Sequence, residues 1–286
     1  MEIAQILANG IVLGALYACI AVGFSLVWGV LNIINMMHGT FIILGGYIAF
    51  FAFDGLGVHP FIMIPVAGSA LFCLGYILQR GVINHVVTAP VLITLTLTFG
   101  LDMILYNFIT VVFTATPRRI TLDLGQANLG GILMPMDRIA AFGLALLLTG
   151  MLYVLLRTSR VGRAIVAVRM DRDAARLMGI RVNHIYAITF GIGAFMAGAT
   201  GALLAVIFPV TPNLIPLFLG KAFVVCVLGG LGGVPGALVG GLALGLIEGF
   251  AGHWLGPQHM ITAGFLLMLL LLLTKPTGLV GRKGYE

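Results

Sequence analysis

The sequence contains few charged residues. Asp, Glu, Lys and Arg together make up 8% of the 286 residues, whereas 60% are hydrophobic and the mean hydropathy is +1.15. Soluble domains carry about 25% charged residues. A globule of this length could not bury so much apolar surface. The composition therefore excludes a soluble protein and predicts that lipid surrounds most of the chain.

Cysteine is also scarce. Cys19, Cys73 and Cys226 each lie within an apolar run, and none has the spacing of a metal site or a redox pair. We interpret all three as packing residues and predict no metal site. The first five residues contain no Lys or Arg, unlike the basic start of a cleavable signal peptide. The first apolar run is therefore expected to remain as a membrane span.

Motifs for catalysis and nucleotide binding are missing too. The sequence has no H-x-x-E-H motif, no serine nucleophile elbow and no dense pair of carboxylates. Its glycine-rich run at 229–241 lacks the Gly-Lys-Ser/Thr ending of a P-loop. We expect no enzymatic activity, no cofactor bound by this chain and no ATP hydrolysis of its own. A membrane-embedded enzyme would need clustered polar chemistry that the sequence does not contain.

Long apolar runs are what the sequence has in abundance. A membrane span needs about 20 apolar residues, and several runs are short or rich in glycine, so about eight to ten spans fit. The predicted fold class is an all-α polytopic membrane protein with about nine transmembrane helices, in which residues 1–286 form a single transmembrane domain. The nine candidate spans are 6–30, 33–53, 58–79, 91–113, 139–156, 185–208, 217–231, 235–251 and 261–274.

The distribution of positive charge predicts the orientation. The net charge is +6, and seven of the fifteen Lys and Arg residues lie at 157–181. Cytoplasmic loops carry such an excess, so topology explains the charge better than nucleic-acid binding does. We expect the loop at about 157–183 and the tail with Lys275, Arg282 and Lys283 in the cytoplasm, and the N-terminus outside. The loop at 114–138 is an exception, because it is predicted to lie outside and yet contains three arginines.

Two loops are predicted to have structure of their own. In the outer loop, the alternation of Ile120, Leu122 and Leu124 predicts a small hairpin or a cap. In the basic loop, residues 161–179 favour one helix that Gly179 ends. That helix would place several arginines on one face. Such a face suits anionic lipid headgroups or an acidic partner, and charge alone leaves both open.

Four segments have a distinctive order of residues. They are RTSRVGRAI from 157 with DAARLMGI from 173, LNIINMMHG from 31 with GGY from 45, GKAF from 220 with LGGLGGVPGA from 228, and KPTGL from 275. Together they resemble the branched-chain amino acid ABC transporter permeases of the LivH type over the whole chain. Asp173 stands where ABC importers in general have Glu.

This resemblance implies a function and partners. The chain would be the permease subunit of a bacterial inner-membrane ABC importer for branched-chain or related amino acids. Its partners would be a second related permease, two cytoplasmic ATPases that bind ATP, and a periplasmic solute-binding protein. The basic loop would dock onto the ATPase. The carried-over coupling positions are Arg163, Asp173, Ala174, Ala175 and Gly179, and the basic face adds Arg169, Arg172 and Arg176.

Other functions remain open. A permease for urea or short amides fits the same pattern. An ion-coupled secondary transporter would need an internal repeat and buried carboxylates, and no clear repeat is present.

Polar residues at membrane depth are the candidates for a translocation path. Each ionisable side chain there costs about 2.5–3.5 kcal/mol, so it should face protein or water. The candidates are Asn35, His38, Gly39, Asp102, Lys221 and Glu248. For each, an interhelical hydrogen bond or another structural role is the alternative.

Glycines four residues apart form a further pattern. Gly229, Gly233, Gly236 and Gly240 predict close packing across a helix–turn–helix. Alternatively, they expose backbone to the path.

Overall fold

The computed structural model describes residues 2–122, 124–129, 131–230 and 232–281. Arg282 and Lys283 of the predicted tail, and Leu231 at the end of the predicted seventh span, lie outside the described residues. The helices are α1 (Glu2–Leu31), α2 (His38–Leu56), α3 (Met63–Gly81), α4 (Val91–Phe113), α5 (Met136–Thr158), α6 (Arg160–Met170), α7 (Arg172–Leu177), α8 (Val182–Ile207), α9 (Ile215–Gly229), α10 (Val234–Trp254) and α11 (Met260–Thr274). Two short strands, β1 (Gln126–Leu129) and β2 (Ile132–Pro135), pair antiparallel.

Nine helical segments of the described chain are long and apolar enough to cross a membrane. They match the nine predicted spans in number and order. Three of them, Pro60–His85, Pro212–Gly229 and Pro257–Thr274, begin with a 3-10 turn that has proline in its first position. Proline suits a helix start because the first amides have no intrahelical partner. The prediction of an all-α polytopic membrane protein is confirmed.

The burial of each span shows where the centre of the bundle lies. In an 18-residue apolar stretch of each span, 89% of the residues are buried in the span of α1 and 83% in that of α8. The corresponding shares are 17% in the span of α4 and 11% in that of α11. Lipid is as apolar as leucine, so an apolar helix can lie equally well inside the bundle or at its edge. α1 and α8 therefore form the core, and α4 and α11 lie at the periphery.

Glycine brings the central helices into backbone contact. On α10, a Cβ added to Gly241 would lie 2.5 Å from the amide nitrogen of Ala18 on α1. On α3, a Cβ added to Gly75 would lie 2.6 Å from the Cβ of Ala194 on α8. Atoms of this kind do not approach so closely, so no larger residue fits without moving a helix. Small residues thus set the distance between the core helices.

Contacts between loops divide the bundle into two faces. On one face, the Gln5 side chain donates to the Leu133 carbonyl at 3.0 Å and accepts from its amide at 3.1 Å. On the same face, Arg118 pairs with Val210 before α9 begins. At the other end of α9, the amide of Leu279 in the tail donates to the Leu228 carbonyl at 2.8 Å. The N-terminus and hairpin therefore lie opposite the tail, the same grouping that the charges predict.

Two predicted boundaries are wrong. The hairpin spans 126–135 rather than 120–124, because its turn depends on the Asn128 side chain, which accepts from the Gly131 amide at 2.8 Å. Gly131 has a φ of 96°, which suits glycine. The second span begins at His38 rather than at 33, because the chain is not helical at 32–37.

We expect Gly241→Ala to destabilise the protein by about 1–3 kcal/mol, because the added methyl group overpacks the contact between α1 and α10. Gly143→Ala is the matched control, since Gly143 lies in α5 with nothing within 4 Å of the added Cβ. Thermal unfolding in detergent measures both. Equal melting temperatures for the two variants would contradict the close contact.

Candidate functional site

The basic loop folds into two helices rather than the single helix predicted. α6 begins after Ser159, whose hydroxyl accepts from the Gly162 amide at 2.8 Å. α7 begins after Asp171, whose carboxylate accepts from the amides of Asp173 at 2.8 Å and Ala174 at 2.9 Å. Those two bonds, Ala174 first, lower the pKa of the Asp171 carboxyl below its usual range. Asp is preferred at the N-cap of a helix rather than in its interior. The predicted single helix therefore breaks at Asp171, where α7 begins.

The break separates the arginines that were expected on one face. Arg169 lies in the last turn of α6, whereas Arg172 and Arg176 lie in α7. Only the latter two share a helix. Arg176 Nη1 lies 3.7 Å from the Asp173 carboxylate, a weak pair between exposed side chains.

Gly179 ends α7 as the sequence predicts. Its φ is 83°, its amide donates to the Arg176 carbonyl at 2.9 Å, and the next amide, of Ile180, donates to the Ala175 carbonyl at 3.0 Å. This pair of bonds is the Schellman motif, which requires a left-handed residue. The chain therefore reverses sharply before α8.

Apolar side chains are exposed at the tip of this segment. Met170, Leu177 and Met178 are 76%, 89% and 83% exposed. Of the predicted coupling residues, Ala175 is buried, and the rest are exposed: Arg163, Arg169, Arg172, Asp173, Ala174, Arg176 and Gly179. We name the exposed surface of α6 and α7 the tip surface. The sequence predicts the exposed arginines of this surface. It does not predict the exposure of the three apolar side chains, because they lie at helix ends.

Arg169 connects the tip surface to the glycine-rich turn between α9 and α10. A Cβ added to Gly232 would lie 2.9 Å from Arg169 Nη2 and 3.2 Å from the Cα of Gly29 on α1. The Gly232 amide also donates to the Ser25 hydroxyl at 3.1 Å. The turn therefore lies between the core helix α1 and the basic loop.

The chain between α1 and α2 returns into the bundle before α2 begins. His38, the first residue of α2, bonds through Nε2 to the Ile20 carbonyl at 2.8 Å. Ile20 lies eleven residues before the end of α1, a rise of about 16 Å. We name residues 32–37 the α1–α2 break. Irregular backbone at membrane depth is tolerated where protein or water surrounds it.

Two buried polar atoms at the break have no hydrogen-bond partner within the described chain. They are Asn35 Nδ2 and His38 Nδ1. A carbonyl only accepts, so His38 Nε2 carries the proton and Nδ1 is a bare acceptor. Asn35 Oδ1 accepts from the Met37 amide at 3.1 Å, which leaves its two amide protons. The break thus presents one donor group and one acceptor.

Gly39 and Asp102 lie beside the break. A Cβ on Gly39 would lie 2.5 Å from the Ile215 carbonyl, so the first turns of α2 and α9 are in contact. Asp102 on α4 accepts a hydrogen bond from the Thr40 hydroxyl. One turn away, the Thr98 hydroxyl donates to the Ile34 carbonyl at 2.9 Å. α4 is therefore attached to the break through a narrow polar stripe.

Lys221 and Glu248 form a buried ion pair at the centre of the bundle. Lys221 Nζ lies 2.9 and 2.7 Å from the two carboxylate oxygens, and 2.6 Å from the Tyr17 hydroxyl. That hydroxyl donates to Glu248 Oε2 at 2.6 Å. The triad joins α1, α9 and α10. Sequence reasoning identified both charges but neither their pairing nor Tyr17, whose position in an apolar helix gave no signal.

The predicted packing glycines divide into two groups. Gly229 lies against Gly236 and Gly240, where an added Cβ on Gly236 would lie 2.8 Å from the Gly229 carbonyl. Gly233 is the N-cap of α10, and its nearest neighbour is the following proline at 3.8 Å. The glycine spacing predicts the close contact that Gly229 makes with Gly236 and Gly240. Gly233 lies in the turn and makes no such contact.

Comparison with known proteins connects this architecture to one family. The family model described as "Branched-chain amino acid transport system / permease component" matches residues 6–274. The chain belongs to this family. The permease is 33% identical to the high-affinity branched-chain amino acid transport system permease protein BraD of Pseudomonas aeruginosa, over 99% of this chain and 97% of that protein. It is 32% identical to LivH of Escherichia coli K12, over 99% and 96%. It is 27% identical to the probable branched-chain amino acid permease LivH of Methanocaldococcus jannaschii, over 97% and 92%.

Among solved structures, the permease is similar to one titled PsaBC from Streptococcus pneumoniae in complex with Fab. The TM-score is 0.48 at 15% identity, over 93% of this chain and 91% of that chain.

We expect Glu248→Leu or Lys221→Met to destabilise the permease by about 3–5 kcal/mol, because each leaves an unpaired charge in the bundle. The double variant Lys221→Met with Glu248→Leu should recover most of that loss, since it removes both charges. Unfolding of the three variants in detergent, as a double-mutant cycle, measures the coupling. Additive effects of the two single substitutions would contradict a direct pair.

Proposed function

We propose that this chain is the permease subunit of an ABC importer and forms part of the translocation path for branched-chain amino acids. The family match over residues 6–274 carries the proposal, together with the names of the relatives. In this proposal residues 1–286 act as one transmembrane domain in a bacterial inner membrane. The face that bears α6 and α7 is cytoplasmic, and the face with the N-terminus is external, following the positive-inside rule.

The tip surface supports docking of a cytoplasmic ATPase that binds ATP. It combines exposed arginines with three exposed apolar side chains, Met170, Leu177 and Met178. A hydrophobic centre within a polar rim is the usual composition of a protein interface. The capping bonds at Asp171 and Gly179 hold both ends of α7, and the burial of Ala175 packs α7 against the bundle, so α7 would transmit a push. Asp173 keeps a negative charge where importers in general have Glu.

The position of α9 supports a route by which movement of the tip surface would reach the translocation path. Its last residue, Gly229, precedes the turn that lies beside Arg169, and its first residue, Ile215, lies against Gly39 at the α1–α2 break. Movement of the tip surface would therefore reach the break through one helix. Alternating access of this kind requires two arrangements of a packed element, with the ATPases favouring one of them.

The α1–α2 break supports a contact with the solute. A zwitterionic amino acid needs donors for its carboxylate and acceptors for its ammonium group. The free amide protons of Asn35 and the bare Nδ1 of His38 provide one of each. We assign Asn35, His38 and Gly39 to the path, with Asp102 beside it. Lys221 and Glu248 already bond to each other, so we assign them to holding α1, α9 and α10 together.

The assembled importer provides the main test. Liposomes would contain this chain, a related second permease and two ATPase subunits, with a solute-binding protein supplied outside. We expect leucine uptake to require ATP. Leu177→Ser with Met178→Ser should lower uptake and solute-stimulated ATPase activity about tenfold or more, because two apolar contacts leave the interface.

Leu56→Ser is the control for the tip surface. Leu56 is 78% exposed and ends α2, which runs toward the opposite face. Its substitution should leave coupling unchanged. Uptake that continues without ATPase subunits under an ion gradient would overturn the ABC importer. Equal activity of the tip and control variants would overturn docking at α7.

We expect Asn35→Ala and His38→Ala each to raise the solute concentration for half-maximal uptake about tenfold, because each removes one hydrogen bond to a buried polar solute. Asn107→Ala is the control, since its side chain donates to the Met103 carbonyl of its own helix at 2.7 Å. ATPase activity without solute should stay unchanged in all three. A loss of basal ATPase activity instead of a shift in solute dependence would indicate a structural role.

A further inference from the structure

A cavity of about 510 Å³ opens where α3 ends and α8 begins. α3 and α8 are antiparallel neighbours in close contact, as the approach of Gly75 to Ala194 shows. Arg80 in the last turn of α3 and the first turn of α8 therefore lie side by side at one membrane surface. The charged lining residues of the cavity are Arg80, Arg176 and Arg181, and the polar ones are Asn84, Asn183 and His184.

The cavity concentrates hydrogen-bond donors. Its three guanidinium groups carry positive charge, and of the described residues that line it, none is acidic. Asp173 lies 3.7 Å from Arg176, with both side chains exposed. The first amides of α8, at Val182 and Asn183, have no earlier turn to bond to, so the positive end of a long helix also faces this place. This donor set suits a phosphate group.

Its wall is already organised by hydrogen bonds within α3 and between α8 and both α3 and the turn that follows α3. Arg80 Nη1 donates to the Tyr76 hydroxyl at 3.0 Å, and that hydroxyl lies 3.2 Å from His184 Nδ1. On the other side, Asn84 Nδ2 donates to the Asn183 carbonyl at 3.3 Å. The guanidinium of Arg80 therefore has a fixed position before any ligand binds, which lowers the entropic cost of binding.

An exposed apolar stripe leads along α3 to this cavity. Ile62 in the turn before α3, and Val66, Cys73 and Ile77 on α3, are exposed at steps of four or seven residues, and Arg80 continues the stripe three residues later. The stripe lies within a membrane span. A ligand with a phosphate in the cavity and a hydrocarbon chain on the stripe would satisfy both surfaces. A free phosphate would satisfy only the first.

We propose that this cavity binds the phosphate headgroup of an anionic phospholipid, whose acyl chain lies along the exposed stripe of α3. Basic pockets between transmembrane helices on the cytoplasmic side are suited to such headgroups. The lipid joins the end of α3 to α7 through Arg176 and to the segment that follows α7 through Arg181. Apart from Arg176, which also belongs to the tip surface, this site needs only that α3 and α8 span the membrane.

Cys73 provides a native reporter for the test. It is exposed on the stripe, whereas Cys19 and Cys226 are buried, so a thiol-reactive fluorophore should label Cys73 selectively. The labelled full-length chain is placed in nanodiscs of phosphatidylcholine. Brominated phosphatidylglycerol or brominated phosphatidylcholine is then titrated in, and quenching reports the lipid beside Cys73. A Cys73→Ala chain provides the background.

We expect brominated phosphatidylglycerol to quench at a lower mole fraction than brominated phosphatidylcholine. Arg80→Gln and Arg181→Gln should each raise the half-saturating mole fraction roughly fivefold, as expected for one basic residue near an anionic lipid. Arg80→Lys should retain most of the effect, which separates loss of charge from misfolding. Arg160→Gln is the matched control, because Arg160 is exposed on the same face but does not line the cavity.

Four results would overturn the proposal. Equal quenching by the two lipids, or no change in Arg80→Gln and Arg181→Gln, would exclude a headgroup site. Release of the lipid by inorganic phosphate, at an ionic strength matched with chloride, would indicate a free-anion site. Weaker ATPase binding by these variants with unchanged lipid quenching would indicate that the cavity takes a protein segment.

Discussion

Backbone contact at glycine is the constraint on which the rest of this membrane protein depends. In lipid, apolar side chains gain little by turning inward, so helices associate through close van der Waals packing and a few polar bonds. α1 meets α10 at Gly241, and α3 meets α8 at Gly75, at distances that leave no room for a Cβ. The high glycine content, 40 residues, thus provides the close approach that hydrophobic burial provides in a soluble core.

Close packing also makes the buried polar groups possible. Because α1, α9 and α10 approach so closely, Lys221, Glu248 and Tyr17 reach one another and satisfy both charges. The same closeness lets the α1–α2 break lie within the bundle, where Thr98 bonds to the Ile34 carbonyl. Polar bonds between helices are individually modest in membranes. Their effect here is to fix the register of helices that glycine has already brought together.

Much of the fold could be predicted from the sequence, because long apolar runs leave few alternatives. The nine spans and the end of α7 at Gly179 follow from apolar run length and from glycine at a helix end. The errors lie where a side chain competes with the backbone pattern. Asp171 caps a second helix, and Asn128 closes the hairpin in a position that alternation did not indicate.

The candidate site was less predictable, because its residues come from distant segments. Asn35 and His38 were identified from their order near a helix start, but their free hydrogen-bonding atoms depend on the return of the chain to the level of Ile20. The pairing of Lys221 with Glu248 depends on the crossing of α9 and α10. A single sequence contains the charges of such a pair without indicating which two helices meet.

The position of α9 explains why the two ends of the proposed mechanism need not touch. At its start, α9 lies against Gly39, and after its end the chain turns beside Arg169. The turn uses glycines at left-handed φ values, 94° at Gly230 and 88° at Gly232, which glycine adopts without strain. Between these ends, Lys221 ties α9 to α1 and α10. α9 is thus held at its centre by an ion pair and at its end by the packing of Gly229 against Gly236 and Gly240. In the proposed mechanism, a displacement of α6 would reach the turn and, through α9, the break. Close packing and the glycine turn therefore serve different purposes: the first joins α9 to α10 and α10 to α1, and the second places the end of α9 beside the basic loop.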